Sequence, residues 1–213
     1  MNQRFKNFLG RLKIIQNKWT KMFAAKDHVA RFDRWSRTYE NSWMQRLIFD
    51  RVHAEVLAEM GDAAAQTIVD VGCGTGRLLR AIRARRPEAR LVGVDAAPGM
   101  IDVARSLTPG AEFHIAPAER LPLPDGSADV VLTTISFHHW QDQALGVREA
   151  ARVLREGGRF ILADLKPLLI GRLFGERARS AAERDRMFSA AGLRVSHHRV
   201  IGWHRILLSV GVR

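Results

Sequence analysis

Short apolar runs recur through the middle of the chain at 67–71, 91–95, 111–115, 128–134 and 158–164, with room for one helix or loop between neighbours. Runs of this length, rich in Val, Ile and Leu, read as strands buried on both faces, and the amphipathic stretches between them read as helices. Strand and helix alternating in this way predict an α/β fold with a doubly wound, mostly parallel sheet. The pattern then changes. A helix is expected over 176–191, stopping at Gly192, and strands near 193–201 and 204–212 surround Gly202-Trp203 as an antiparallel hairpin. Upstream, residues 31–60 are helical in pattern, and Phe5, Phe8, Leu12, Ile15, Trp19 and Met22 recur three and four apart, with Leu9 and Phe23 widening that apolar face. The chain therefore divides into an N-terminal amphipathic helix at 1–26, a helical lead-in at 27–62 and an α/β domain at 63–213. At 213 residues it is long enough to bury a proper core.

Charge changes the picture mainly at the front. The formal net charge is +12, and residues 1–26 carry Arg4, Lys6, Arg11, Lys13, Lys18, Lys21 and Lys26 with no acid. A basic helix with an aromatic and aliphatic face is built to lie in a membrane interface, drawn by anionic headgroups and anchored by apolar burial. The same pattern also suits a helix packed on the domain with its lysines solvated, or an acid-poor presequence. No base-reading module accompanies the basic run, so nucleic acid is not an expected partner. Cys73 is the single cysteine, so no intrachain disulfide forms, and no run of about eighteen apolar residues appears. The expectation is a reducing, cytoplasmic setting, peripheral on the inner membrane face if the first helix binds there.

The densest chemistry lies in Val69-Asp70-Val71-Gly72-Cys73-Gly74-Thr75-Gly76-Arg77, where an apolar strand meets a helix through three alternating glycines. Glycine permits positive φ and lets backbone approach a ligand, and the following helix offers free N–H groups and the positive end of its dipole. The dinucleotide fingerprint G-x-G-x-x-G would need glycine at position 77, where Arg77 stands; the phosphate-binding G-x-x-x-x-G-K-[ST] pattern is absent from the sequence. Twenty residues on, Leu91-Val92-Gly93-Val94-Asp95 ends a second strand in an acid placed to take ribose hydroxyls. That spacing alone also suits NAD, and Asp95 could instead cap the helix at Pro98.

Together, D-x-G-x-G-x-G and the strand-end Asp95 resemble the class I S-adenosylmethionine-dependent methyltransferases. Ala118-Glu119-Arg120-Leu121-Pro122-Leu123-Pro124-Asp125-Gly126-Ser127-Ala128-Asp129 is similar to the A-E-x-L-P-F-x-D-x-S-F-D segment of the ubiquinone and menaquinone C-methyltransferase-like (methyltransferase type 11) group. Glu149 to Phe160 matches that group's helix, turn and fifth strand. The resemblance implies a Rossmann-like seven-stranded sheet and S-adenosyl-L-methionine as cofactor. Asp70, Gly72, Cys73, Gly74 and Gly76 would hold the methionine end, Asp95 the ribose, and Ala96, Met100 and Ala118 would cover adenine, with Thr134 at the same sheet edge. One departure stands out. Relatives carry an acid before the Ala, where it accepts from the adenine amino group, and this chain has Pro117, which leaves Glu119 or backbone for that task. Phe32 to Glu40 resembles the family's lead-in, in which Tyr39 would close the site over the methionine part while Trp35 packs.

Acceptor chemistry is expected after the fourth strand, at Ser136-Phe137-His138-His139-Trp140. A histidine there, His138 or His139, suits a base for a phenol or an activated carbon; the alternative is that both shape the loop. Asp164 ends the fifth strand near the acceptor edge, and Leu168-Leu169-Ile170 reads as pocket wall, membrane contact or plain loop. His197 and His198 face opposite sides of a late strand, and no metal site is expected. The expected function is methyl transfer to a small-molecule or lipid-like acceptor, such as a quinone precursor or a phospholipid headgroup. A non-catalytic S-adenosylmethionine-binding regulatory protein is the competing reading, and an NAD oxidoreductase is disfavoured by the glycine spacing.

Overall fold

The central strands are buried on both faces and pair in the order expected of a doubly wound sheet. The computed structural model describes residues 28–39, 43–61, 66–167, 177–201 and 206–213. The basic segment 1–26, Leu168-Leu169-Ile170 and Gly202-Trp203 lie outside these. Helices α1 (His28–Tyr39) and α2 (Trp43–Met60) lead into β1 (Thr67–Val71), α3 (Arg77–Arg85), β2 (Arg90–Asp95), α4 (Pro98–Leu107) and β3 (Glu112–Ile115). Then follow β4 (Ala128–Thr134), a 3-10 turn (Phe137–His139), α5 (Gln143–Val153), β5 (Leu154–Leu165), α6 (Ala181–Ala190), β6 (Arg194–Ile201) and β7 (Ile206–Val212).

The seven strands lie in the order β3-β2-β1-β4-β5-β7-β6. All neighbours from β3 to β5 are parallel, and β7 inserts antiparallel between β5 and β6. Chain direction across the sheet reverses between β1 and β4, so the loops leaving their carboxyl ends diverge and open a crevice there. Two apolar layers cover the faces. Val52 and Val56 of α2, Leu78 and Ile82 of α3 and Ile101 of α4 pack on one. Val147 and Ala150 of α5, Phe188 of α6, and Leu121 and Leu123 pack on the other.

Two boundaries differ from the sequence pattern for identifiable reasons. The late helix begins at Ala181 rather than 176 because Ser180 and Glu183 form a capping box that fixes its first turn. β5 begins at Leu154 rather than 158: Leu154 pairs with Ala128, the register then shifts, and Gly157, at φ +73, donates to the Arg213 carbonyl at 3.0 Å. The turn expected before the fifth strand is an irregularity absorbed into the strand.

The remaining fastenings position the crevice. Asp33 of α1 accepts the Gly99 N–H at 2.6 Å. A Cβ on Gly99 would lie 2.8 Å from both Asp33 Oδ1 and Ser36 Oγ, which explains a glycine in the first turn of α4. Fully buried Arg184 ties α6 to the sheet, donating to the Leu207 carbonyl at 2.6 Å and to Ser209 Oγ at 3.1 Å. His197 and His198 do face opposite sides, meeting Glu59 of α2 and Asp185 of α6 respectively.

Candidate active site

A cavity of about 620 Å³ opens at the carboxyl ends of β1, β2 and β4, within the size range of small-molecule sites. Its floor is the glycine loop. Gly72 and Cys73 both donate to the Val94 carbonyl, at 2.7 and 3.1 Å, so the loop is pinned to the end of β2. Gly72 (φ +76) has no room for a side chain, since a Cβ would sit 1.8 Å from Ser136 Oγ. Gly74 (φ +53) is the opposite case: nothing lies within 4 Å of the Cβ position, and the missing side chain leaves open space in the cavity.

Two carboxylates flank the loop. Asp95 accepts the Gly74 N–H at 2.9 Å with Oδ2 and the Ala97 N–H at 2.9 Å with Oδ1. It is not the cap of α4, whose N-cap is Ala97 without a side-chain bond. Burial raises its pKa, against the pull of those backbone donors. Asp70 is 1 % exposed and its Oδ1 has no hydrogen-bond partner among the described residues. Burial first, and Asp95 second, push it up to about 7. The same causes raise the Cys73 thiol well above its ordinary range, so it is an inert neutral wall.

Of the residues singled out from sequence, Asp70, Gly72, Cys73, Gly74, Asp95, Ala96, Met100, Ala118, Glu119, Thr134 and His139 all line this cavity. Two others do not. Gly76 packs away from it, with Thr108 Oγ1 3.0 Å and Ala104 Cβ 3.4 Å from its Cβ position, so its glycine serves the contact with α4. His138 is buried behind the wall: Asp164 takes its backbone N–H at 2.8 Å and pairs with Nδ1 at 2.7 Å. His138 and the Arg184 charge hold the Asp164 carboxyl below its ordinary value despite burial. Tyr39 closes α1, but its side chain lies outside the described residues.

The 136–140 turn is held firmly. Ile135 sits at φ +48, a strained value for a β-branched residue, and donates to the Ala163 carbonyl at 2.8 Å. That reversal turns the chain across the crevice and presents His139, whose ring meets Phe32 of α1 at 5.1 Å and His138 at 3.9 Å. Glu119 Oε1 accepts the Asp142 N–H at 2.8 Å, so this acid braces the turn leading into α5.

The sequence reading missed Val29, Phe32, Phe49, His53, Arg77 and Arg177, all of which line the cavity. The helical pattern of residues 31–60 did not show which helix face would cover a ligand. Burial, then Arg77 and Arg80, push His53 down to about 4, so it lines the wall as a neutral ring.

An orphaned buried carboxylate, an open glycine cradle, a second strand-end carboxylate and apolar covers together fit a cationic, ribose-bearing ligand. Residues 69–162, which contain all of these except the α1 and α2 covers, match the family model described as a methyltransferase domain. Over that stretch the chain carries a methyltransferase domain. Among similar proteins, an uncharacterised methyltransferase of Mycobacterium tuberculosis is 42 % identical over 97 residues, covering 46 % of this chain and 39 % of that one. The demethylmenaquinone methyltransferase of Deinococcus radiodurans is 36 % identical over 126 residues, covering 57 % of this chain and 50 % of its own. The chain thus spans half or less of the length of those curated relatives. The solved structure of a S-adenosylmethionine-dependent methyltransferase from Aquifex aeolicus has the same fold, with a TM-score of 0.69 at 21 % identity, over 83 % of this chain and 96 % of that one.

Proposed function

We propose that the chain transfers a methyl group from S-adenosylmethionine to a small or lipid-like, largely apolar acceptor. The observation that carries this is the convergence of Asp70, the Gly72–Gly74 loop, Asp95 and His139 on one cavity. When bound, the cofactor supplies an electrophilic methyl group on a sulfonium centre. The chain's own residues bind, orient and exclude water. Asp70 answers the cofactor's positive charge, Asp95 its ribose, and Met100 and Ala118 cover the adenine. With proline at 117 and Glu119 committed to Asp142, adenine selection falls to backbone groups of that segment.

His139 is the group placed to take a proton from the acceptor. His138 is a positioning residue, fixed through both backbone and ring by Asp164. Phe32 and Val29 of α1, with Trp140, give the cavity apolar cover that keeps water from the sulfonium. An apolar wall with one strongly placed base suits an acceptor such as a phenol, an enol or an activated ring carbon. The Deinococcus relative, named for demethylmenaquinone, supports that class. Assay of radiolabelled methyl transfer from S-adenosylmethionine into lipid and metabolite extracts tests the reading. Label moving into an organic-extractable product is expected; cofactor binding without any transfer would favour the non-catalytic alternative.

The reading includes a location. The seven basic residues and apolar face of 1–26 support attachment to an anionic membrane surface, on the inner face where lipid-like acceptors are at hand. Co-sedimentation of the full chain is expected with phosphatidylglycerol vesicles but not with phosphatidylcholine vesicles. Raising salt to about 0.5 M or introducing Trp19→Glu should each weaken it about tenfold or more. Equal binding to both vesicles would sink the membrane role.

A further inference from the structure

Arg177 lines the cavity together with His139, Trp140 and Gln141 of the turn that follows β4. One N–H of its guanidinium donates to the Gln141 carbonyl at 2.6 Å, so the charged head rests on that turn, and the residue is partly exposed. It pairs with no carboxylate among the described residues. The other charges around the cavity are committed. Asp95 holds the Gly74 and Ala97 N–H groups, Glu119 holds the Asp142 N–H, and Arg77 is paired with Asp50. Asp70 and Asp95 belong to the cofactor end, at β1 and β2.

Fastening the chain does not account for this arginine. Its backbone carbonyl accepts Nε2 of buried Gln143 at 3.0 Å, and Oε1 of the same glutamine accepts Nε of Arg179 at 2.6 Å. Gln143 Nε2 also donates to the Phe137 carbonyl at 3.0 Å, and Ala178 is buried. Gln143 and Arg179 therefore hold the segment 177–180 against the turn, ahead of the capping box that starts α6. The Arg177 guanidinium adds one exposed hydrogen bond to an anchorage already made, and its remaining N–H donors have no protein acceptor among the described residues.

A planar guanidinium with donors to spare grips a carboxylate or a phosphate through two parallel hydrogen bonds. The carbonyl that Arg177 holds belongs to the second residue after His139, and two residues of chain span at most about 7 Å. Base and cation therefore address one molecule, the base its reacting group and the cation an acid group a short distance away. Val29, Phe32 and Trp140 supply apolar cover for the rest of it.

We propose that Arg177 is a specificity residue that binds an anionic group, carboxylate or phosphate, on the methyl acceptor, which makes the acceptor an amphipathic acid rather than a neutral lipid or an amine. This rests on the methyl-transfer reading above.

The charge of the radiolabelled products formed from S-adenosylmethionine in lipid and metabolite extracts tests it. Label is expected in a product that an anion exchanger retains at about pH 8. Acidification to about pH 2 drives a carboxylic acid into organic solvent, and alkaline phosphatase frees a phosphate monoester from the exchanger, so the same fraction identifies the group. Arg177→Gln should need about 30-fold more extract for half-maximal labelling, the scale of a charge-assisted hydrogen bond, while its affinity for S-adenosylhomocysteine by calorimetry stays within about twofold of wild type. Arg177→Lys should recover part of the loss. Label confined to neutral or cationic products, or an Arg177→Gln chain that labels the acid as readily as wild type, overturns the proposal and leaves methyl transfer standing. An equal loss of S-adenosylhomocysteine affinity in Arg177→Gln makes the residue a structural strap and overturns it too. Absence of any labelled product overturns the methyl-transfer reading and this proposal with it.

Discussion

Replacing Asp70 by asparagine is expected to give a chain that is more stable at pH 8 and binds S-adenosylmethionine far more weakly. The carboxylate is fully buried beside Asp95 with one oxygen unsatisfied, and its pKa rises to about 7 in the folded chain. In the unfolded chain it titrates near its ordinary value of about 3.9. Between those two values the folded state keeps a proton that the unfolded state has released. Stability from this group is therefore greatest below about pH 4, falls as pH rises towards 7, and stays low above it. Asparagine removes the ionisation and with it a penalty on the order of a few kcal/mol above pH 7. The melting temperature of Asp70→Asn should exceed that of the wild type by several degrees at pH 8, with the gap closing at pH 5.

The cofactor side runs the other way. A cation in the cavity pulls the Asp70 pKa down, so binding by the wild type should strengthen as pH rises through 7, and Asp70→Asn should bind about 100-fold more weakly at pH 8. Thermal melts and calorimetry at the two pH values check both halves. A variant that melts lower at pH 8 would contradict the stored penalty, and one that binds as well as wild type would remove Asp70 from the site.

Alanine at the two loop glycines should separate folding from binding. At Gly72 the new methyl group meets Ser136 at 1.8 Å and the backbone is held at φ +76, so strain and clash act together. The expected cost is about 3 kcal/mol or more in urea unfolding. At Gly74, with φ +53 and open space, only the backbone term of about 1 kcal/mol remains. The Gly74→Ala chain should therefore fold but carry a methyl group in the cradle, with cofactor affinity down about 30-fold or more. Adding Ser136→Gly to Gly72→Ala should return the steric share of the lost stability and leave the backbone share. If Gly74→Ala proves the more destabilised of the two, the assignment of tight and open positions in the loop is wrong.

Much of the architecture was legible because burial on both faces leaves a simple trace: Ile68 to Val71 and Leu91 to Val94 read as strands without knowledge of their neighbours. The glycine loop and Asp95 were legible because their jobs are backbone jobs tied to spacing. Three things were not. Gly76 looked like part of the cradle, but its neighbours Thr108 and Ala104 come from α4, a contact that spacing does not encode. The two adjacent histidines looked interchangeable, but their surroundings differ: Asp164, 26 residues later, holds His138, while His139 lines the cavity. Arg77 was read only as the residue that broke a dinucleotide pattern, because its place on the cavity wall depends on the fold that also pairs it with Asp50 of α2.

Calorimetric titration of the folded chain with S-adenosylhomocysteine, beside NAD as a control, tests the central claim most directly. The product complex requires Asp95 and the glycine loop yet needs no acceptor, so saturable one-to-one binding in the micromolar range is predicted for S-adenosylhomocysteine and none for NAD. Absence of S-adenosylhomocysteine binding by a chain that melts cooperatively, or binding of NAD in its place, would contradict the account.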